Sequence, residues 1–441
     1  MTIEELSVAF QGEVVRPGDP GYDDARTIWN AMIDKHPAIL FRVKNTQDVV
    51  RAINYAREHR LALSVKGGGH NIAGSAIVNG GAVIDLSLMR SVQVDPVARR
   101  AVVEGGALLS DLDAATQAHG LAVPVGINST TGVGGLTLGG GFGWLSRKFG
   151  MTVDNLESAE IVTADGEVLR TTITEHPDLF WAIRGGGGNF GVVTSFEFQA
   201  HPIGKVFAGI LTYGLDNLPA LLKGWGDHMR TADEALTTIV NILPPSGDTP
   251  SVALMTCCYA GDNETAAIKA IEPLRRLGSL LEDTITQKNY FEILAEGDAP
   301  PGVKIVVDNI FAEKFTDELI ETIVAAKRAM PDLILQLRSL GGAMDRIAPD
   351  ATAFPYRGSE VMLLSLIFLP PAISEEKEKE ALEPWNTIAS FGTGAYSNFF
   401  SDPGKDLSGM YPKATYDRLA GIKKIYDPKN IFNQNYNVRP E

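Results

Sequence analysis

The sequence predicts an α+β protein of two domains, on three observations. The chain has 441 residues, more than one compact core usually holds. Up to about residue 204, short apolar strands alternate with amphipathic helices and glycine-marked turns. After His201-Pro202-Ile203-Gly204 that pattern stops, and longer helices stand among long apolar strands.

The elements follow in order. Gly12-Glu13-Val14-Val15 reads as a strand, Pro17 to Tyr22 as a turn and Asp23 to Met32 as a short helix. Ala38 to Val43 is a strand. Thr46 can cap the next helix, in which Val49, Ala52, Ile53 and Ala56 recur at helical spacing. Leu61 to Val65 is a buried strand leading into Lys66-Gly67-Gly68-Gly69-His70-Asn71-Ile72-Ala73-Gly74-Ser75. Strands Gly81 to Leu86 and Arg100 to Gly106 precede a helix over Leu108 to His119. Asp154 to Leu169 reads as a hairpin turning at Asp165-Gly166. A short helix, Pro177 to Ile183, leads through a glycine run to the strand Val192 to Phe198. Beyond the boundary, Asp216 to Thr231 and Thr316 to Ala329 are helical, and Ser251 to Tyr259 and Glu360 to Phe368 are strands. A last helix, Ala414 to Ile425, precedes the closing segment.

Composition narrows the function classes. Apolar residues at 44% and charged residues at 21% fit a globular enzyme. A net charge of −15 argues against nucleic acid and anionic membrane surfaces as partners. The two cysteines, Cys257 and Cys258, are adjacent, which gives neither a disulfide framework nor zinc-type spacing. They read as small apolar residues of a strand, and no metal site is expected. The opening Met1 to Leu6 lacks a signal-peptide pattern, and the longest apolar run, Val361 to Leu369, is too short to span a bilayer. A cytoplasmic protein is the default expectation. Oligomeric state is not legible.

The glycine excess sits in three loops. The first, Gly67-Gly68-Gly69, permits positive φ and close backbone approach, and its successive N–H groups can make an anion-binding concavity suited to a diphosphate. One histidine, His70, stands at its end. The second, Gly126 to Leu145, is dense in glycine and free of charge, unlike a surface linker. The third, Arg184 to Gly191, precedes a strand. Together they imply one long cofactor carrying phosphates and an aromatic ring. Gly186-Gly187-Gly188-Asn189-Phe190-Gly191 matches G-x-G-x-x-G, but a helix precedes it and a strand follows, the reverse of a dinucleotide-binding turn. No Walker A sequence is present.

The first two loops, with the closing Tyr426-Asp427-Pro428-Lys429-Asn430-Ile431-Phe432-Asn433-Gln434-Asn435-Tyr436-Asn437-Val438-Arg439-Pro440, resemble the berberine-bridge-enzyme-like FAD-linked oxidases of the vanillyl-alcohol-oxidase superfamily, which carry a PCMH-type FAD-binding domain. Within the group the chain is most similar to the bacterial 6-hydroxynicotine-oxidase type. The resemblance is strongest over residues 34–200 and 411–440 and weak between about 205 and 390. It implies a split FAD-binding domain over residues 1–204, a substrate domain over 205–410 with an antiparallel sheet flanked by helices, and a segment, 411–441, that returns to the first domain.

The resemblance also implies roles. His70 would be joined covalently to the 8-methyl carbon of FAD; the alternatives are a noncovalent neighbour or a turn histidine. Gly67, Gly68, Gly69, Asn71, Gly74 and Ser75 would hold the cofactor from the first loop. Asn128, Thr131, Gly132, Gly134, Gly135, Gly140 and Gly143 would hold it from the second, Gly191 and Val193 from the third, and Asn435 and Tyr436 from the closing segment. Many relatives have a second link through a cysteine where this chain has Asn128, so attachment through His70 alone is expected. Thr131 matches a position that controls access of dioxygen and is small enough to admit it. Ala395-Tyr396-Ser397-Asn398-Phe399 matches the family's Y-x-N segment, making Tyr396 the expected base and Asn398 the residue that orients substrate. That role asks for a phenol pKa lowered by neighbours. The alternative is a tyrosine packed at a domain interface, with Tyr356 as a second candidate base. The expected activity is transfer of hydride from a C–H next to oxygen or nitrogen of a small organic substrate to flavin, with dioxygen reduced to hydrogen peroxide. A dehydrogenase using another acceptor, or a noncatalytic flavin- or ligand-binding protein, are the other readings.

Overall fold

The computed structural model describes residues 3–297 and 302–441. Met1 and Thr2 of the opening segment, and residues 298–301, lie outside the described residues.

The glycine-rich half is built on two sheets. The first has four strands in the order Glu13–Val15, Ile39–Arg42, Ala82–Asp85, Leu63–Lys66, with the last three parallel to one another. Parallel neighbours need a crossover, and the helix Thr46–Glu58 supplies one. That helix buries Val49, Ala52, Ile53 and Ala56 against Phe41, Leu63 and Ile84. Its cap is Asn45, whose side chain accepts from the Asp48 N–H. Thr46, the expected cap, is instead the first helical residue and donates its hydroxyl to Glu160 at 2.7 Å. The second sheet has five antiparallel strands in the order Val92–Asp95, Arg100–Glu104, Val192–Gln199, Leu156–Val162, Val168–Thr172. The last two form the expected hairpin.

The expected helix from Asp23 to Met32 stops early, at Tyr22–Arg26. The chain then diverges so that Asn30 can donate to the Ile72 carbonyl and the Trp29 ring can stack on His70, 5.2 Å between centroids.

From Lys205 the chain builds a single antiparallel sheet of eight strands. Its order runs Leu280–Asp283, Lys205–Gly214, Val252–Tyr259, Leu236–Ile242, Ile334–Ser339, Val361–Leu369, Lys304–Ala312, with Thr286–Asn289 also on Lys205–Gly214. Side chains alternate across it. Leu335, Leu337, Leu363 and Ile367 enter a core shared with the helices Leu218–Met229, Asp317–Ala329 and Glu375–Ala389. Ile305, Val307, Gln336, Arg338, Leu364, Leu366 and Phe368 emerge on the opposite face. Cys257 and Cys258 are free and buried in Val252–Tyr259, one in the helix-side core and the other toward the first half. No helix among the described residues is long and apolar enough to cross a membrane.

Three contacts join the halves. An aromatic cluster of Phe142, Phe311, Phe354, Tyr356 and Tyr396 spans them. Arg147 donates to the carbonyls of Leu236, Leu340, Met229 and Ala232. The helix Lys413–Tyr426 and the segment after it pack Leu419, Ala420, Ile422, Tyr436 and Val438 onto the second sheet's core. There Lys423 and Asp427, both fully buried, pair at 2.9 Å. Lys423 also donates to the carbonyls of Asn189 and Phe432, and Asp427 accepts from the N–H groups of Ile431 and Phe432.

Glycine enforces the closest approach. A Cβ on Gly132 would collide with the Gly68 nitrogen, and one on Gly68 would collide with the Gly132 nitrogen. Backbone cannot give way as a flexible side chain can. Gly132→Ala should therefore cost about 1–3 kcal/mol of stability, seen as a lower unfolding midpoint and a lower flavin-to-protein ratio. Gly421→Ala is the counter-case. It lies in the helix Lys413–Tyr426, and an added methyl would meet nothing within 4 Å. This change should gain about 0.5–1 kcal/mol.

Candidate active site

A cavity of about 600 Å³ lies between the glycine-rich half and the open face of the eight-stranded sheet. All three glycine loops reach it, and each is tied to the next. The first meets the second at Gly68 and Gly132. The third is fixed to the second by the N–H groups of Gly185 and Gly187, which both donate to the Leu138 carbonyl. The closing segment is fixed to the third by Asn189, which donates to the Tyr436 carbonyl and accepts from Val438 N–H, and by Asn435, which donates to the Gly188 carbonyl.

Of the residues expected to hold a cofactor, Gly67, Gly68, Gly69, His70, Asn71, Ser75, Asn128, Thr131, Gly132, Gly134, Gly135, Gly191, Val193, Asn435 and Tyr436 line this cavity. Gly74, Gly140 and Gly143 do not, and packing explains their glycines. A Cβ on Gly74 would meet Ile33 at 2.7 Å, and one on Gly143 would collide with the Val125 carbonyl oxygen. Gly140, at φ +131, sits over Met151 and the edge of Tyr396.

The lining suits FAD. The N–H groups of Gly67, Gly68 and Gly69 donate to no protein acceptor among the described residues, leaving them for a diphosphate. Ser64 Oγ and Asn435 Oδ1 are buried without a protein partner, and both residues line the cavity. Buried polar atoms are nearly always satisfied, so these two mark where a polar ligand belongs.

His70 is held by a short relay. Thr130 donates its hydroxyl to Asn128 Oδ1 at 2.9 Å, and the same oxygen accepts Thr130 N–H at 3.1 Å. With its proton so committed, Thr130 Oγ1 accepts from His70 Nε2 at 2.7 Å. This selects the Nε2–H tautomer and puts the ring lone pair on Nδ1. Asn128 thus acts through Thr130, a link that nothing in the spacing of the loop announces.

Tyr396 lines the cavity and is 2% exposed. Asn309 fixes its turn, accepting from Tyr396 N–H at 2.7 Å and donating to the carbonyls of Tyr396 and Phe399. Its phenolic oxygen accepts from Gly141 N–H and from the Asn398 amide, each at 3.0 Å. The expectation of a lowered phenol pKa is reversed. Burial pushes Tyr396 up to about 12, and the two donors and the nearby Arg338 charge only partly offset it. Asn398 also donates toward the Gly135 and Leu136 carbonyls, so its nitrogen holds the phenol and the short helix Val133–Gly139 in place. Tyr356 is outside the cavity lining. Its hydroxyl donates to the Gly409 carbonyl at 2.6 Å and its ring stacks on Phe311, which makes it a packing residue.

Sequence reasoning missed Trp29, Gln336 and Arg338, all of which line the cavity. For the last two a signal existed. Leu335-Gln336-Leu337-Arg338 alternates apolar and polar, as a strand with one face on a core and the other on a polar ligand does.

Comparison with known proteins agrees with this site. The family model described as FAD binding domain matches residues 37–172, and the one described as Berberine and berberine like matches residues 395–439. The (R)-6-hydroxynicotine oxidase of Paenarthrobacter nicotinovorans is 30% identical, over 98% of this chain and 98% of that protein. The FAD-linked oxidoreductase YgaK of Bacillus subtilis is 31% identical, over 97% of each. The crystal structure of 6-hydroxy-D-nicotine oxidase from Arthrobacter nicotinovorans superposes with a TM-score of 0.89 over the whole of both chains, at 29% identity. Fold, loops, closing segment and full-length similarity together place the chain in the berberine-bridge-like family of FAD-linked oxidoreductases.

Proposed function

We propose that this FAD-dependent oxidoreductase is an oxidase that takes hydride from a C–H bearing oxygen or nitrogen on a small organic substrate and returns the electrons to dioxygen, giving hydrogen peroxide. FAD, when bound, supplies the hydride acceptor. The observation that carries the reading is the Tyr396 oxygen, held by two N–H donors at the wall of the large cavity.

The chain's own residues divide the work. The glycine loops bind the diphosphate. His70, with Trp29 stacked on its ring and Thr130 on Nε2, carries the cofactor covalently through Nδ1, and it does so alone. Asn128 has no thiol, and the two cysteines lie in a strand outside the cavity. Tyr396 accepts the substrate's hydroxyl or amine proton as the C–H bond breaks, and Gly141 and Asn398 stabilise the phenolate that this requires. The carbonyl oxygen of Asn398 is the part of that side chain left to orient substrate. Apolar side chains of the sheet, among them Ile305, Leu364 and Leu366, exclude water. Thr131, in the second loop, leaves room for dioxygen.

Three outcomes test this. Acid precipitation of the wild-type protein should leave the yellow colour in the pellet, and His70→Ala should release it to the supernatant; a yellow wild-type supernatant refutes the covalent link. Tyr396→Phe should keep the colour but slow flavin reduction by roughly 10²–10⁴-fold in rapid mixing. Because the phenol sits high, at about 12, and only its deprotonated form accepts a proton, the wild-type reduction rate should climb with pH through the alkaline range, a rise that Tyr396→Phe abolishes. Finally, Thr131→Leu should slow reoxidation by dioxygen and leave reduction unchanged. Absence of peroxide with every substrate that reduces the flavin would favour the dehydrogenase reading.

A further inference from the structure

Arg338 is a buried cation that the fold itself leaves unbalanced. It lies mid-strand in Ile334–Ser339, on the face that opens to the cavity, and is 9% exposed. Its Nε donates to Gln336 Oε1 at 2.7 Å, and Gln336 in turn donates to Asn241 at 2.8 Å. The guanidinium carbon stands 4.9 Å over the Phe399 ring. These contacts fix the plane of the group, yet they use one N–H of five. The two terminal nitrogens donate to no acceptor, and no carboxylate pairs with them, among the described residues. Nor does any Asp, Glu or Lys among the described residues line the cavity. Around Arg338 the wall is Ile305, Val307, Leu364, Leu366, Phe368 and Phe399.

A buried charge without a counter-ion is costly, and folds keep one where a ligand completes it. Tyr396 is a weak candidate for that ion, since its phenol stays protonated until strongly alkaline pH. The diphosphate of FAD is provided for elsewhere, at the glycine loops. A planar guanidinium pinned through Nε and open at both terminal nitrogens matches a carboxylate in geometry as well as charge.

We propose that Arg338 anchors a carboxylate of the substrate, so that the molecule oxidised is a small carboxylic acid with an apolar body. This rests on the oxidoreductase reading above and names the substrate class for it. Gln336 is the positioning residue, acting through Arg338. The anchor and Tyr396 both line the cavity, so an acid held at one end presents its reacting C–H along the apolar sheet toward the phenol.

The test uses the flavin-bearing holoenzyme and simple probes, benzoate and hexanoate against benzamide and hexanamide, with benzamidine as the cationic analogue. Binding is read from perturbation of the flavin absorbance and, independently, by calorimetry. Each acid should bind at least tenfold more tightly than its amide, and benzamidine should bind weakest. Arg338→Gln should weaken the acids by roughly 10²-fold, change the amides less than threefold, and keep the flavin. Arg338→Lys, which preserves the charge but not the fork, should retain part of the preference and guards against a folding failure. Equal binding of acids and amides by the wild type overturns the proposal. So does an Arg338→Gln variant that weakens both alike, or one that slows flavin reduction while the acid preference persists, which would assign Arg338 to Tyr396 alone. A wild-type protein that purifies without flavin would instead refute the underlying reading, and calorimetry would still report the acid preference.

Discussion

The contact between Gly68 and Gly132 holds the structure to its purpose. Two loops well separated along the chain meet there backbone to backbone, with no room for a Cβ on either side. The strand Leu63–Lys66 and the helix Val133–Gly139 take their relative positions from this contact, and with them His70 and Thr131. It also explains why the glycines are apolar in company: the second loop is wrapped by protein, with Val133, Phe142, Trp144 and Leu145 buried beside it. Close approach leaves amide groups unpaired in a dry place, and a diphosphate is the natural partner for them.

The other half of the site is governed by competition between burial and polar support. Tyr396 is surrounded by Phe142, Phe354 and Phe399, which disfavour charge on its oxygen, while Gly141, Asn398 and Arg338 favour it. Burial prevails in the protein alone. The same holds for Arg338, whose guanidinium is drawn down to about 10 by its dry surroundings. Both groups are thus set against their charged forms until something fills the space between them. An environment of this kind discriminates between ligands by charge more than by shape, because apolar walls magnify every uncompensated charge.

Much of this was legible in the sequence because it depends on local constraints. A strand followed by three glycines and a histidine has few alternatives, and the reversed helix-loop-strand context at Gly186 to Gly191 was enough to set aside a nicotinamide site. The illegible parts are tertiary. Asn45 and Thr46 are both good caps, and only the contact of Thr46 with Glu160 decides between them. The helix beginning at Tyr22 had no reason in its own residues to end at Arg26; the pull of Trp29 toward His70 comes from a segment far along the chain. Tyr356 and Tyr396 look equally chemical in sequence, and the Gly409 carbonyl, which takes the hydroxyl of the first, is invisible there. Arg338 reads as an ordinary surface arginine until the neighbours of its strand show that its face is indoors.

The Lys423–Asp427 pair bears on how the molecule is made. It pins Asn435 and Tyr436 against the third glycine loop, so the last wall of the cofactor cavity is laid down by residues that leave the ribosome long after His70, with the whole eight-stranded sheet between them. Domains of a growing chain fold as they emerge, the earlier part first. Here the earlier part carries the histidine and the diphosphate loop but cannot close. Capture of the flavin is therefore tied to the end of translation, and a chain cut short before Lys423 would fold around an open groove that holds no cofactor securely.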